Sequence, residues 1–221
     1  MILLAEVDAH QLTLGNYLDT WLTGKHALRP ATRALYVSLV EHYLKPQLGA
    51  IRLLDLRGSH LDRFYAGLQT GVRGTPLSAG TIRRIHAVLR SALGTAVKRR
   101  LLPYNPAQHI ELAPEDPRRP RPWTTEQCLT FLAATSQDRL APMYQLLLTT
   151  GMRRGEAMGL RWEDVHLDDD HLVVSQQITE VRGKLVTGRP KTRNSVRVVA
   201  LDDWTVLTLR RRSRSGSSPR P

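Results

Sequence analysis

The sequence predicts a mainly α protein with a small antiparallel β-sheet in its second half. Three observations lead there. The first hundred or so residues carry four apolar stripes at helical period. Pro114, Pro117, Pro120 and Pro122 then crowd one short stretch, which neither a helix nor a central strand tolerates. Beyond them, helical stretches give way after Asp168-Asp169-Asp170 to short apolar runs separated by turn residues. The predicted organisation is an all-α bundle over 1–113, a Pro/Arg linker over 114–122, a mixed α+β region over 123–209 and a disordered Arg/Ser tail over 210–221.

Thr13 is placed to cap a first helix, whose Leu14, Tyr17, Leu18, Trp21 and Leu22 make one continuous face. A second helix follows Arg29-Pro30, aligns Tyr36, Leu39, Val40, Tyr43 and Leu44, and stops near Pro46 and Gly49. Ser59 is expected to open a third, with Leu61, Phe64, Tyr65 and Leu68 on one side. After the turn-rich stretch from Gly71 to Pro76, Ser78 opens a fourth and longer helix that buries Ile82, Ile85, Leu89, Ala92, Leu93 and Ala96. The rest of that helix and its end carry Arg83, Arg84, Arg90, Lys98, Arg99 and Arg100 with no acidic residue. A helix with one apolar stripe and a basic remainder packs on a bundle and offers its other side to phosphates. Simple solvation is the alternative, but no carboxylate is interspersed to make the usual pairs one turn apart.

In the linker, Arg118, Arg119 and Arg121 sit among the prolines. Such a basic stretch either tracks a nucleic-acid backbone or is merely exposed. Thr124 with Gln127 forms a capping-box pattern ahead of Leu129, Phe131 and Leu132. Another apolar helix runs from about Leu140 to Thr149 and ends at Gly151, a left-handed stop. A short one covers Glu156 to Leu160. Leu172 to Thr179 reads as a strand, Arg182-Gly183-Lys184 as a turn, and Leu185-Val186 and Val196 to Leu201 as further strands. A helix begins at Asp202-Asp203-Trp204 and then loses its pattern in an arginine- and serine-rich tail. The expectation there is disorder, as for a truncation or an out-of-frame read.

The net charge is +12 and unevenly placed: +7 over residues 1–114, zero over 115–209 and +5 over 210–221. A basic first half implies a polyanionic partner, most simply nucleic acid. Of the 32 basic residues 27 are arginine, which nucleotide composition explains as well as phosphate recognition does. No apolar run approaches the ~18 residues of a membrane span, and the opening MILLAEVDAH has no basic region typical of a signal peptide. The single cysteine, Cys128, excludes an internal disulfide and points to a reducing cytoplasm. It is expected to be a small buried hydrophobe.

Two stretches carry the chemistry. Thr150-Gly151-Met152-Arg153-Arg154-Gly155-Glu156 puts an arginine at a turn between two helices, and Pro190-Lys191-Thr192 puts a lysine in a hairpin tip. An arginine grips two phosphate oxygens as a fork, and a lysine is able to hand over a proton. Read in order, with the stretch from Leu77 to Leu93 and with Asn105-Pro106-Ala107, these residues resemble the tyrosine recombinase (phage integrase) family.

That resemblance implies an N-terminal SAM-like core-binding domain and a partial catalytic domain, closing as a clamp around duplex DNA. It implies strand transfer through a 3′-phosphotyrosyl link, which needs neither ATP nor metal. Arg153 would bind the phosphate, Glu156 would orient the turn or pair with an arginine, and Lys191 would protonate the leaving 5′-oxygen. Arg154 and Arg161 are expected at the surface, Leu160 and Trp162 in packing. The family completes its site with a His-x-x-Arg motif and a tyrosine nucleophile further along. Here the last histidine is His171 and the last tyrosine Tyr144, and all six tyrosines read as helix-face packing. The expectation is therefore a cytoplasmic, nucleoid-associated protein that binds attachment-type DNA but does not cleave alone. Intact relatives act as tetramers; this chain is expected to be monomeric or weakly associating. The alternative is an inactive fragment that occupies or regulates such sites. His166 and His171, beside three aspartates, are not expected to hold a metal.

Overall fold

The computed structural model describes residues 11–71, 75–114, 120–188 and 196–216, with residues 214–216 described by backbone alone. The chain divides into two compact units, Met1–Arg118 and Arg119–Pro221.

In the first unit, Thr13 caps α1 (Leu14–Thr23) by accepting the Asn16 amide, and α1 buries the five apolar residues that set its stripe. The second stripe resolves into α2 (Pro30–Leu39), one π turn over Val40–Leu44 and α3 (Lys45–Leu48). Pro46 accounts for the π turn. It has no N–H to donate and its ring would meet the carbonyl one turn back, so the helix widens before it. The next helix, α4 (Gly58–Thr70), differs from the expected Ser59 start. His60 Nδ1 accepts the Arg57 amide at 3.1 Å and closes the first turn one residue earlier.

The 20-residue α5 (Ala79–Lys98), capped by Ser78, is the spine of this unit. Leu89 and Leu93 are wholly inaccessible, each burial worth about 2 kcal/mol. Polar tips of α1 reach the same helix: Tyr17 Oη donates to the Ala92 carbonyl at 2.7 Å and Trp21 Nε1 to Thr95 Oγ1 at 3.1 Å. Burial pushes the Tyr17 phenol up to about 12. α5 ends with Arg100 in the left-handed region at φ 60°, where its amide bonds Val97 and that of Leu101 bonds Ala96. This is the bonding of a Schellman stop, a place that favours glycine. Arg100→Gly is therefore expected to stabilise the first unit by about 0.5–1 kcal/mol, read as a higher midpoint in urea. A lower midpoint would show that the arginine side chain holds the turn.

In the second unit, the Thr124 and Gln127 box opens α6 (Thr125–Ala134). α7 (Ala141–Thr150) ends at Gly151 with φ 63°, and α8 (Arg154–Gly159) follows at once. β1 (Val165–His166), β2 (His171–Val174) and β5 (Arg197–Ala200) form an antiparallel sheet in the order β1-β2-β5. β3 (Gln177–Val181) and β4 (Lys184–Gly188) form a separate hairpin. The single strand expected over Leu172–Thr179 is thus two strands. Its break has a polar cause: Ser175 Oγ donates to Asp164 and Gln176 Nε2 to the Gly159 carbonyl, which turns the chain out of one sheet and into the other.

The region expected to dissolve after Trp204 is instead a helix, α9 (Asp203–Gly216). Asp202 accepts the Thr205 amide, Val206 and Leu209 join the core with Leu146, Met152, Leu172, Val174 and Leu201, and Arg210 donates to Asp168 and the Leu167 carbonyl. Two buried apolar residues one turn apart and a capped start hold a helix that its arginine-rich end obscures. Residues 217–221 of the expected tail lie outside the described residues.

Candidate catalytic site and nucleic-acid interface

Gly151 lets the chain reverse between α7 and α8, and the buried Met152 anchors the turn in the core. Arg153 then takes an extended backbone as the residue before α8, which points its amide along the new helix. That amide donates to Glu156 Oε2 at 3.0 Å, and the Arg153 guanidinium donates to Glu156 Oε1 at 2.8 Å. A third donor comes from the sheet: Arg197 Nη2 reaches Glu156 Oε2 at 2.9 Å. Glu156 is 1% exposed, whereas the Arg153 side chain is 73% exposed. Burial alone would raise the Glu156 pKa. The hydrogen bonds from Arg197 and from the Arg153 amide and side chain outweigh it and hold the carboxyl down at about 2. Glu156 thus accepts from the amide of the turn and from two guanidinium groups at once. One guanidinium nitrogen of Arg153 faces the carboxylate, and the exposed remainder of the fork can grip two oxygens of a phosphate.

At its two glycines α8 lies directly against the backbone of β3. A Cβ on Gly155 would sit 2.7 Å from the Ile178 carbonyl oxygen, and one on Gly159 would sit 2.8 Å from the Gln177 Cα. This close approach leaves a groove of about 360 Å³ beside the turn, lined by Arg153, Arg154, Met158, Gln177, Thr179 and Leu185. Lys191 lies outside the described residues.

The six basic residues of α5 and its end are all exposed. Arg83, Arg84, Arg90 and Lys98 fall within about 120° of arc at 100° per residue. Among the described residues none of the six is held in an ion pair. Arg83 also donates to the Ala113 carbonyl at 2.9 Å, so it fastens the segment leaving the unit as well as facing solvent. Beneath this face His86 Nδ1 lies 3.0 Å from Tyr65 Oη. Burial first, then the positive charges of Arg90 and Arg83, hold His86 below its ordinary pKa, so it adds no charge to the face at neutral pH. Arg121 is exposed; Arg118 and Arg119 lie outside the described residues.

Several expectations need correction. Trp162 is 54% exposed rather than packed, because it sits on a single 3-10 turn outside the core. Tyr104 is likewise exposed and on no helix, while Cys128 is only half-buried. Arg161 is at the surface but engaged with Asp164 and Glu163. The His166 and His171 rings stack at 4.7 Å. Among the described residues, no group of three His, Cys, Asp or Glu side chains is placed to hold a metal. Arg197 has no role in the motif reading. The signal it offers is a cation on a strand near the lysine stretch, and Glu156, to which it donates, is 41 residues away.

Residues 123–219 match the phage integrase family. The tyrosine recombinase XerC-like protein of Caldanaerobacter subterraneus subsp. tengcongensis is 26% identical over 92% of this chain and 56% of its own length. The integrase of Mycobacterium phage L5 is 30% identical over 87% of this chain and 50% of its own. The chain spans about half the length of these curated relatives. Among solved structures, the Tn1549 transposon integrase in complex with a circular intermediate DNA gives a TM-score of 0.81 at 20% identity, covering 95% of this chain and 67% of that one. A lambda integrase dimer bound to a COC′ core site gives 0.62 at 18%, covering 94% and 83%. At such identity these two show the fold. A helical unit joined to an α+β unit with small antiparallel sheets is the integrase architecture. The second unit thus matches the phage integrase family, and the chain as a whole is similar in sequence to tyrosine recombinases and phage integrases.

Proposed function

We propose that this chain binds duplex DNA at attachment-type sites as part of a site-specific tyrosine recombinase, with Arg153 as a ligand of the reacting phosphate. The observation that carries this is the buried Glu156, which fixes both the amide and the guanidinium of an otherwise exposed arginine. A preorganised fork of this kind stabilises charge building on a phosphate without reorganising during the reaction. Lys191 is the proposed proton donor to the leaving 5′-oxygen. Arg83, Arg84, Arg90, Lys98, Arg99 and Arg100, with Arg118, Arg119 and Arg121 of the linker, contact the backbone and set register rather than sequence. The XerC-like and phage L5 relatives support recombination, and the solved complexes of the Tn1549 and lambda integrases support DNA as partner. The nucleoid is where such a protein would work, as a monomer or a weak associate.

A second reading, DNA occupancy without turnover, is favoured by the tyrosines. Tyr17 and Tyr65 are buried in the first unit, and Tyr144 packs its ring on Phe131. A polypeptide of these 221 residues alone is proposed to bind without cleaving.

The test uses a duplex selected by the chain from a random pool. Arg153→Ala is expected to weaken binding roughly 10-fold or more, as loss of charge-assisted bonds to a phosphate does. It should also lower the salt slope by about 1. Unchanged affinity would remove Arg153 from the interface. A covalent protein–DNA adduct on a denaturing gel would overturn the second reading.

A further inference from the structure

We infer that Arg197 is a positioning residue: from β5 it fixes the Glu156 carboxylate and thereby sets both the aim and the charge of the Arg153 fork. This rests on the reading of Arg153 as a phosphate ligand.

The geometry is specific. Glu156 Oε2 is pinned from two directions, by the Arg153 amide in the turn and by Arg197 from the sheet. Pinning one oxygen from two sides stops the carboxylate rotating about its last torsion, which is otherwise soft. The other oxygen, Oε1, is then held where it accepts from Arg153 Nη1. An arginine that is 73% exposed has no packing to hold it, so its aim is inherited from that oxygen. The strand end is itself anchored, since Arg197 pairs in register with Val174 of β2. Val174 is buried in the core.

The charge argument points the same way. One carboxylate facing Arg153 alone would neutralise it. The same carboxylate shared between Arg153 and Arg197 leaves the trio with one net positive charge beside the groove. An approaching phosphate meets that net charge rather than a neutralised pair. Arg197 therefore acts on the phosphate through Glu156 and Arg153. Its own side chain is a third exposed, so direct contact with DNA is the competing account.

A mutant cycle separates the two. Arg197→Met and Arg197→Lys are made alone and with Arg153→Ala, and affinity for the selected duplex is read by fluorescence anisotropy at fixed salt. Arg197→Met is expected to weaken binding roughly 5-fold to 10-fold when Arg153 is present and less than about 2-fold when it is alanine, as for side chains in one ion-pair network. Arg197→Lys should recover part of the loss, because an ammonium still reaches a carboxylate as a point charge. Equal losses in both backgrounds would mean direct contact or general damage and would overturn the inference. No loss beside an intact Arg153 would overturn it as well. If Arg153→Ala itself binds like the parent, the phosphate-ligand reading fails and takes the inference with it; any other failure leaves that reading standing. Should the methionine variant not fold, the lysine variant decides through the Arg153 Nε–Hε resonance. Relaxation faster or slower than in the parent supports positioning, and an unchanged signal refutes it.

Discussion

Glu156→Gln is expected to destabilise the second unit by about 3 kcal/mol at neutral pH, the usual scale for removing one partner of a buried ion pair. The amide keeps the shape of the side chain but removes the charge that Arg153 and Arg197 share. It also presents an NH2 to a place filled with donors. The same figure follows from linkage: a carboxyl lowered from its ordinary 4.5 to about 2 corresponds to about 3 kcal/mol at 1.36 kcal/mol per unit. The sign is that of a depressed carboxyl. The stabilisation is complete above the unfolded value, and it fades as pH falls from about 4.5 towards 2. The difference between parent and variant should therefore be largest at pH 6–7 and nearly vanish near pH 2. Asp164 and Asp202 are also held below their ordinary range, by bonds from Arg161 and from the Thr205 amide, but both remain in the variant and cancel in the difference. Hydrogen exchange of α8 and β5 amides across that range is the measurement. A difference independent of pH would assign the loss to packing rather than to the carboxylate's charge.

What could be read from the sequence was what is local. The stripes of α1 and α5, the caps at Thr13, Ser78 and Thr124, and the stop at Gly151 depend on residues within a few positions of each other, so their signals survive in one dimension. The errors lie where distant partners decide. The break after β2 follows from bonds of Ser175 and Gln176 to residues 11 and 17 positions back. The continuation of α9 follows from burial of Val206 and Leu209 against α7 and β2 residues, which overrides an arginine-rich composition. The candidate site divides the same way. Arg153 and Glu156 are three apart and form a visible motif, whereas Arg197 joins them across 41 residues by a contact that only the fold creates.

That contact depends in turn on how α8 is seated, and the two glycines of α8 expose this by a reversal of sign. Glycine to alanine inside a helix ordinarily stabilises by about 1 kcal/mol. Gly94→Ala in α5 is expected to do so, because its added methyl would meet nothing closer than Asn105 Nδ2 at 3.7 Å. Gly155→Ala and Gly159→Ala should instead destabilise, by about 1–3 kcal/mol each before the helix gain is counted. Their methyls would enter the backbone of β3 at 2.7 and 2.8 Å, and a backbone has no side-chain rotamer by which to yield. The relief open to the chain is for α8 to lift off the hairpin. Lifting moves Glu156 away from Arg197, since one rides on α8 and the other on β5. Both variants should therefore lose affinity for the selected duplex beyond what their stability explains, and loss of Arg153 should no longer add to it. Thermal melts and anisotropy on the same preparations provide the check. A stabilised Gly159→Ala would mean that α8 and β3 are further apart in solution than 2.8 Å allows, and the trio around Glu156 would then have to be held by something other than the seating of this helix.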